Sequence, residues 1–152
     1  MQRDFSRPAL LIAAACGGML IAADPLQAGI PVSTIFIVDD DCSVNVAVSR
    51  LLEAAGFGVR SFTSAGALLA DKNAHDADCL VLDVHLPDMN GFELQRRLAA
   101  AGSSTPVVVI TAHDDAMHRR GARDIGAFAY LTKPFSSLSL VDAVTRAVAA
   151  RR

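Results

Sequence analysis

Tryptophan is absent from this chain of 152 residues, tyrosine occurs once, at Tyr130, and the three cysteines stand far apart at Cys16, Cys42 and Cys79. No C-x-x-C pair and no Cys/His set with zinc-finger spacing occurs among them. An odd, scattered set of thiols excludes a disulfide framework and fits a reducing compartment. Neither sign of charge dominates, with 14 Lys and Arg against 16 Asp and Glu. That balance excludes a generally basic nucleic-acid surface, and the apolar-rich composition excludes a disordered chain. Internal repeats and low-complexity linkers are missing as well, and the length suits one domain by the usual range of about 100–200 residues.

Long apolar runs are scarce, and the longest lies near the start. Arg3 and Arg7 precede an uncharged stretch from Pro8 to Ala23, followed by Asp24 and Pro25. This has the shape of a signal peptide, with a candidate small-residue cleavage site at Leu26, Gln27 and Ala28. As a membrane span it is short, since about 20 apolar residues are needed, and Gly17-Gly18 weakens it further. The competing reading is an extension with no part in the fold, arising from an upstream start codon assigned in error. Residues 1–30 are therefore set apart, and the folded domain is expected over residues 34–150.

What the chain does have begins at Thr34. "TIFIVD" is a short, largely β-branched apolar run ending in carboxylates, as a parallel strand buried on both faces requires. Val44, Val48, Leu51, Leu52 and Ala55 then recur at helical spacing, and Gly56 stands where a helix C-terminus needs a glycine. The alternation repeats: "FGVRSF" as strand, a helix from Ser64 as N-cap, "CLVLDV" as strand, and a helix starting near Gly91. "TPVVVIT" follows as strand, then a helix over "DDAMHRRGARDIG", "AFAYLT" as strand, and a last helix over "SLSLVDAVTRAVAA". Strands and helices in strict alternation predict an α/β fold, a doubly wound parallel sheet with helices on both faces.

In such sheets ligands bind beyond the carboxyl ends of the strands. Asp39, Asp40 and Asp41 follow strand 1, Asp83 ends strand 3, Thr111 ends strand 4 and Lys133 follows strand 5, so these residues are expected to meet at one edge. Taken singly each has an ordinary structural reading: an Asp there is an N-cap, a Thr a strand residue, a Lys a solvated side chain. Their joint placement at the right ends of four strands carries the functional one. Clustered carboxylates need a cation, and hard oxygen donors without His or Cys favour Mg²⁺, with Mn²⁺ or Ca²⁺ as alternatives, over zinc. Mg²⁺ completes its shell with phosphate oxygens, so a phosphoryl group belongs in the same place. Asp83 is the candidate nucleophile, forming an aspartyl-phosphate, with Lys133 and Thr111 contacting the phosphoryl oxygens.

"IFIVDDDCSV", "CLVLDVHLPDMNGFEL", "VVVITAHDD" and "AYLTKPF" together resemble the four signature segments of the response-regulator receiver family, the CheY-like domains of two-component signalling. The resemblance covers Thr34 to about Ala150. It implies a flavodoxin-like (βα)5 fold with strand order 2-1-3-4-5, in which Asp83 accepts phosphate from a sensor histidine kinase or phosphotransfer protein. It further implies that Asp40 ligates Mg²⁺ directly, that Asp39 acts through water, and that Asp83 and the backbone carbonyl of His85 complete the metal site. Thr111 and Tyr130 fall at the family's switch positions, Lys133-Pro134 at a peptide bond often cis, and Gly91 at the start of helix 3. Such a domain is a cytoplasmic phosphoacceptor, not an enzyme beyond its own phosphorylation and dephosphorylation, although the N-terminal residues leave room for a membrane tether.

Some residues depart from that pattern. Asp41 is a third acid the metal does not require and reads as the N-cap of helix 1. Cys42 reads as a small helix-start residue. His85 and His113 flank the pocket as surface histidines, and His113, two places after Thr111, holds a position that tunes phosphate lifetime in the family. A rival reading, a haloacid-dehalogenase-like phosphatase, draws on Asp39-Asp40-Asp41-Cys42-Ser43 as a D-x-D-x-[T/V] start, but its chain order is wrong because "LVLDV" precedes Thr111. A phosphorylation-independent docking receiver is the other alternative. With no helix-turn-helix before Arg152, no direct nucleic-acid contact is expected. Output is expected through a protein target or a homodimer on the face of helix 4, strand 5 and helix 5, with Leu138 and Val141 toward the core and Leu140 and Val144 apolar outside it.

Overall fold

The computed structural model describes residues 32–151. The signal-like stretch over residues 1–30, and Cys16 within it, lie outside the described residues. The elements alternate throughout: β1 (Thr34–Val38), α1 (Cys42–Ala54), β2 (Gly58–Phe62), α2 (Ala65–Leu69), β3 (Cys79–Asp83), α3 (Gly91–Ala100), β4 (Val107–Thr111), α4 (Ala116–Asp124), β5 (Ala129–Thr132) and α5 (Ser137–Arg151). All pairings are parallel and the sheet order is β2-β1-β3-β4-β5. This is the order the family resemblance implies, and it reverses direction at β1 and β3, which stand side by side with Ile35 opposite Cys79 and Val38 opposite Leu82.

Successive strand residues point to opposite faces, and both faces are covered. Ile35 and Ile37 of β1 and Val81 of β3 pack with Val48 and Leu52 of α1 and with Leu140, Val144 and Val148 of α5. Phe36, Val38, Leu80 and Leu82 pack with Leu68 of α2, Phe92, Leu94 and Leu98 of α3 and Ala122 of α4. Each aliphatic side chain fully withdrawn from water contributes about 1.5–3 kcal/mol, so the continuous apolar runs of the central strands, unsuited to a half-wet sheet, are what demand helices on both sides.

The helices start and stop on local chemistry. Asp41, Ser64, Asn90 and Asp115 cap the N-termini of α1, α2, α3 and α4. The role expected of Asp41 is therefore seen directly, its carboxylate accepting the Ser43 N–H at 2.8 Å, and Cys42 is the exposed first residue of α1. After α1 the chain turns through Gly56 at φ 99°, with the Gly56 N–H donating to Glu53 O and the Phe57 N–H to Leu52 O. That paired pattern needs a left-handed residue, which glycine adopts without strain.

The orientation expected for α5 is wrong. Leu140 and Val144 are completely buried, Leu138 is 79% exposed, and Val141 is partly buried. The correct stripe is Leu140, Ala143, Val144, Ala147 and Val148, which repeats every third and fourth residue along the whole helix. The phase beginning at Leu138 fails because it runs into Thr145.

At the amino ends of the strands, Asp78 fastens distant parts of the chain. Its Oδ2 accepts the Thr34 N–H at 2.8 Å, and its Oδ1 lies 3.5 Å from Nη1 of Arg151, which also donates to the Ala77 carbonyl. No helix among the described residues is long and apolar enough to cross a membrane.

Candidate functional site

At the carboxyl ends of the strands, oxygens of Asp39, Asp40 and Asp83 all lie within 4.8 Å of one another. Asp39 is fully buried at the end of β1. Its Oδ1 accepts the Asp41 N–H at 2.9 Å, and its Oδ2 receives Lys133 Nζ at 2.7 Å. Asp83 is buried at the end of β3, where Oδ2 lies 3.3 Å from the same Nζ and Oδ1 accepts the His85 N–H, also at 3.3 Å. Asp40 is exposed at the mouth. Lys133 reaches the pocket from the end of β5, over a cis Lys133-Pro134 bond.

One ammonium faces three carboxylates, so two negative charges remain. Burial, and after it the charge of Asp39, holds the Asp83 carboxyl above the usual carboxylate range, against the pull of Lys133 and the His85 N–H. For Lys133, burial works to lower the pKa, but the hydrogen bond to Asp39 and the charges of Asp83 and Asp39 outweigh it and leave the ammonium above the ordinary lysine value. Carboxylate oxygens alone, close together and two charges short of neutrality, form a donor set that fits a hard divalent cation such as Mg²⁺.

Thr111 is fully buried at the end of β4, and its Oγ1 accepts the His113 N–H at 3.0 Å and donates to the His113 carbonyl at 3.3 Å. It is thus tied to the β4–α4 loop. The Tyr130 hydroxyl is 3.4 Å from both the His113 carbonyl and Asp114 Oδ1, on the exposed side of the same loop, and Asp114 is paired with Arg119 at 2.6 Å. Gly91 closes the floor: a Cβ there would lie 2.4 Å from the Asp83 carbonyl oxygen. The acids and Lys133 therefore come together at the strand ends, Thr111 ends the neighbouring strand with its carbonyl accepting the Lys133 N–H at 2.8 Å, Tyr130 lies one loop away, and His85 meets Asp83 through its backbone N–H rather than its carbonyl.

Sequence reasoning missed three residues. Asn45 is buried on α1 and donates to the Asp39 carbonyl at 2.7 Å, holding the β1 end in place, while its Oδ1 has no partner. The available signal was a polar residue on the Val48 and Leu52 stripe. Asp88, in the β3–α3 loop, accepts the Ala65 and Gly66 N–H groups at 3.1 and 2.7 Å and so caps α2 from 22 or more residues away. His118, on α4, lies against both His85 and His113.

A doubly wound five-stranded parallel sheet with an acid pocket and a lysine at its carboxyl edge defines a flavodoxin-like α/β domain. The chain belongs to the response regulator receiver domain family, whose model matches residues 35–145. It is therefore a receiver of the two-component type, and the haloacid-dehalogenase alternative falls. Among its relatives is the response regulator protein TmoT of Ectopseudomonas mendocina, 40% identical over 116 residues, a match covering 76% of this chain and 53% of TmoT. The transcriptional regulatory protein TdiR of Thauera aromatica is 37% identical over 120 residues, covering 79% of this chain and 53% of TdiR. The BeF3-activated DrrB receiver domain superimposes with a TM-score of 0.72 at 30% identity, covering 78% of this chain and 99% of that one.

The chain spans about half the length of TmoT and TdiR. This corrects the expectation of no nucleic-acid contact, which rests on the position of the last residue. A relative named for transcriptional regulation matches here through its receiver portion alone, so the end at Arg152 says nothing about what the whole protein touches.

Proposed function

We propose that this chain is a phosphorylatable switch in which Asp83 takes a phosphoryl group from a phosphohistidine on a sensor kinase or phosphotransfer protein. The observation that carries the proposal is the single ammonium of Lys133 shared between Asp39 at 2.7 Å and Asp83 at 3.3 Å in a pocket left two charges negative. An Asp83 oxygen forms the new bond to phosphorus while the donor's P–N bond breaks, and the departing imidazole keeps the electron pair and takes up a proton. Asp39, Asp40 and Asp83, with the His85 carbonyl, are the donors that would hold Mg²⁺, which when bound offsets the charge of the transferring oxygens. Lys133 is placed to follow those oxygens as they arrive. In this reading the domain acts on itself and turns over no separate substrate.

The signal leaves through Thr111. A phosphoryl group adds roughly two negative charges at Asp83, and Thr111 reaches it by giving up its bonds to His113. The β4–α4 loop follows, Tyr130 loses its two partners there, and its ring is free to turn inward, exchanging one packing for another. The elements beside it carry large exposed apolar side chains, Met117 on α4 at 80%, Leu138 on α5 at 79%, and Phe128 just before β5 at 39%. That face is the proposed contact for a protein target or a second copy of the chain.

Incubation of the full-length protein with acetyl phosphate and Mg²⁺ is expected to add one acid-stable, hydroxylamine-labile phosphoryl group. The label is expected to vanish in Asp83→Asn and to require Asp40. Undiminished, hydroxylamine-labile labelling of Asp83→Asn would overturn the assignment.

A further inference from the structure

We propose that the side chains of His85, His118 and His113 form a second metal site, for a zinc-like transition metal, at the rim of the acid pocket, which shares with it only the backbone of His85. Three of the chain's four histidines meet there, although they come from the β3–α3 loop, the β4–α4 loop and α4. The ring centroids of His85 and His113 are 4.7 Å apart, those of His85 and His118 5.2 Å, and those of His113 and His118 6.1 Å.

The distance that matters is between nitrogens. His85 Nε2 and His118 Nε2 are 3.3 Å apart. Two imidazoles on one tetrahedral zinc, each at about 2.0–2.1 Å with a tetrahedral angle between them, hold their ligating nitrogens about 3.3–3.4 Å apart. The two rings thus already stand at the spacing of a shared metal. The same spacing suits a hydrogen bond in which one ring's N–H donates to the other's Nε2 lone pair, and a bound metal would take the place of that proton.

The support around His118 points the same way. Its Nδ1 lies 2.7 Å from Asp115 Oδ1. With the proton on Nδ1 donated to that carboxylate, Nε2 keeps a free lone pair directed at His85, which is the carboxylate–histidine arrangement that orients and strengthens metal-binding imidazoles. Asp115 is itself fixed, because the same Oδ1 accepts the His118 N–H at 2.8 Å as the cap of α4. His113, exposed on its loop with its ring centroid 6.1 Å from that of His118 and its plane at 21° to it, stands outside donor distance and would join as the third ligand only after a side-chain rotation, with water in the fourth position.

Imidazole suits zinc, cobalt, nickel and copper, whereas the neighbouring carboxylates suit Mg²⁺, so the two sites sort metals by ligand softness. A metal on the three rings would pin the start of α4 to both loops. The proposal does not depend on phosphorylation of Asp83.

The test is a titration of the untagged full-length protein with Co²⁺ in a large excess of Mg²⁺, read by the visible absorption of tetrahedral cobalt, with Zn²⁺ as competitor. One equivalent is expected to bind, and Zn²⁺ to displace it. His118→Ala and His85→Ala are each expected to weaken binding at least about tenfold, and Asp115→Asn, which keeps a capping side chain, by about 10–100-fold. His75→Ala and Cys42→Ser are expected to bind as the unmutated chain does. Absence of tetrahedral cobalt in that Mg²⁺ excess, or unchanged affinity in both His118→Ala and Asp115→Asn, would overturn the site.

Discussion

Among the described residues Lys133 is the only cation bonded to two buried carboxylates, and it leans toward Asp39, leaving Asp83 the less well neutralised partner. Burial and the Asp39 charge raise the Asp83 pKa, so the folded chain holds that proton more tightly than the unfolded chain. The sign follows from linkage: this contribution favours the fold in acid and is lost as pH rises from the ordinary carboxylate range through the raised folded value. In metal-free buffer at neutral pH, Asp83→Asn is therefore expected to be more stable than the unmutated chain by on the order of 1 kcal/mol. The gain is expected to disappear in acid, where both side chains are uncharged. Urea midpoints measured across that range check it, and a gain independent of pH would remove the electrostatic explanation. Asp83 and Lys133 were legible in the sequence because their strand ends fix them. Asn45, Asp88 and His118 were not, because each acts on a partner 6, 22 and 33 residues away that only the folded chain brings near.

Element by element, periodicity predicts well where one face is continuous and poorly where two phases compete. The central strands read correctly because they are apolar on both faces, and α1 because Gly56 marks its end. α5 offered two apolar stripes, and only length along the helix separates them, since the one starting at Leu140 persists to Val148. The start of α3 shows how an element and the pocket constrain each other. Its first residue, Gly91, donates its N–H to the Val84 carbonyl at 2.8 Å and stands so close to β3 that a Cβ would meet the Asp83 carbonyl oxygen at 2.4 Å. The obstacle is backbone and cannot swing aside. Gly91→Ala is expected to destabilise the domain by roughly 2 kcal/mol or more and to slow phosphorylation of Asp83, checked by urea unfolding and by acetyl phosphate labelling. A stable variant that labels normally would show that the strand end can give way without cost.

For the molecule as a whole, alternation of strands and helices was enough for a doubly wound sheet, while the order 2-1-3-4-5 came from resemblance, because periodicity carries no information about which strands are neighbours. Both apolar layers and all five strands lie within residues 32–151. A chain beginning at Val32 is therefore expected to unfold at the same urea concentration as the full-length protein and to accept phosphate equally. A clearly lower midpoint would assign residues 1–31 a part in the fold. The contacts of Asp78 bear on the same scale. One carboxylate accepts the first strand's Thr34 N–H and faces the last helix's Arg151, so the two ends of the described fold meet on the pole away from the acid pocket. The two ends thus lie within side-chain reach of one residue. A circularly permuted chain, rejoined by a short linker across that pole and opened in the exposed segment around Asn73, would thread the same sheet and leave the chemistry at the opposite pole undisturbed.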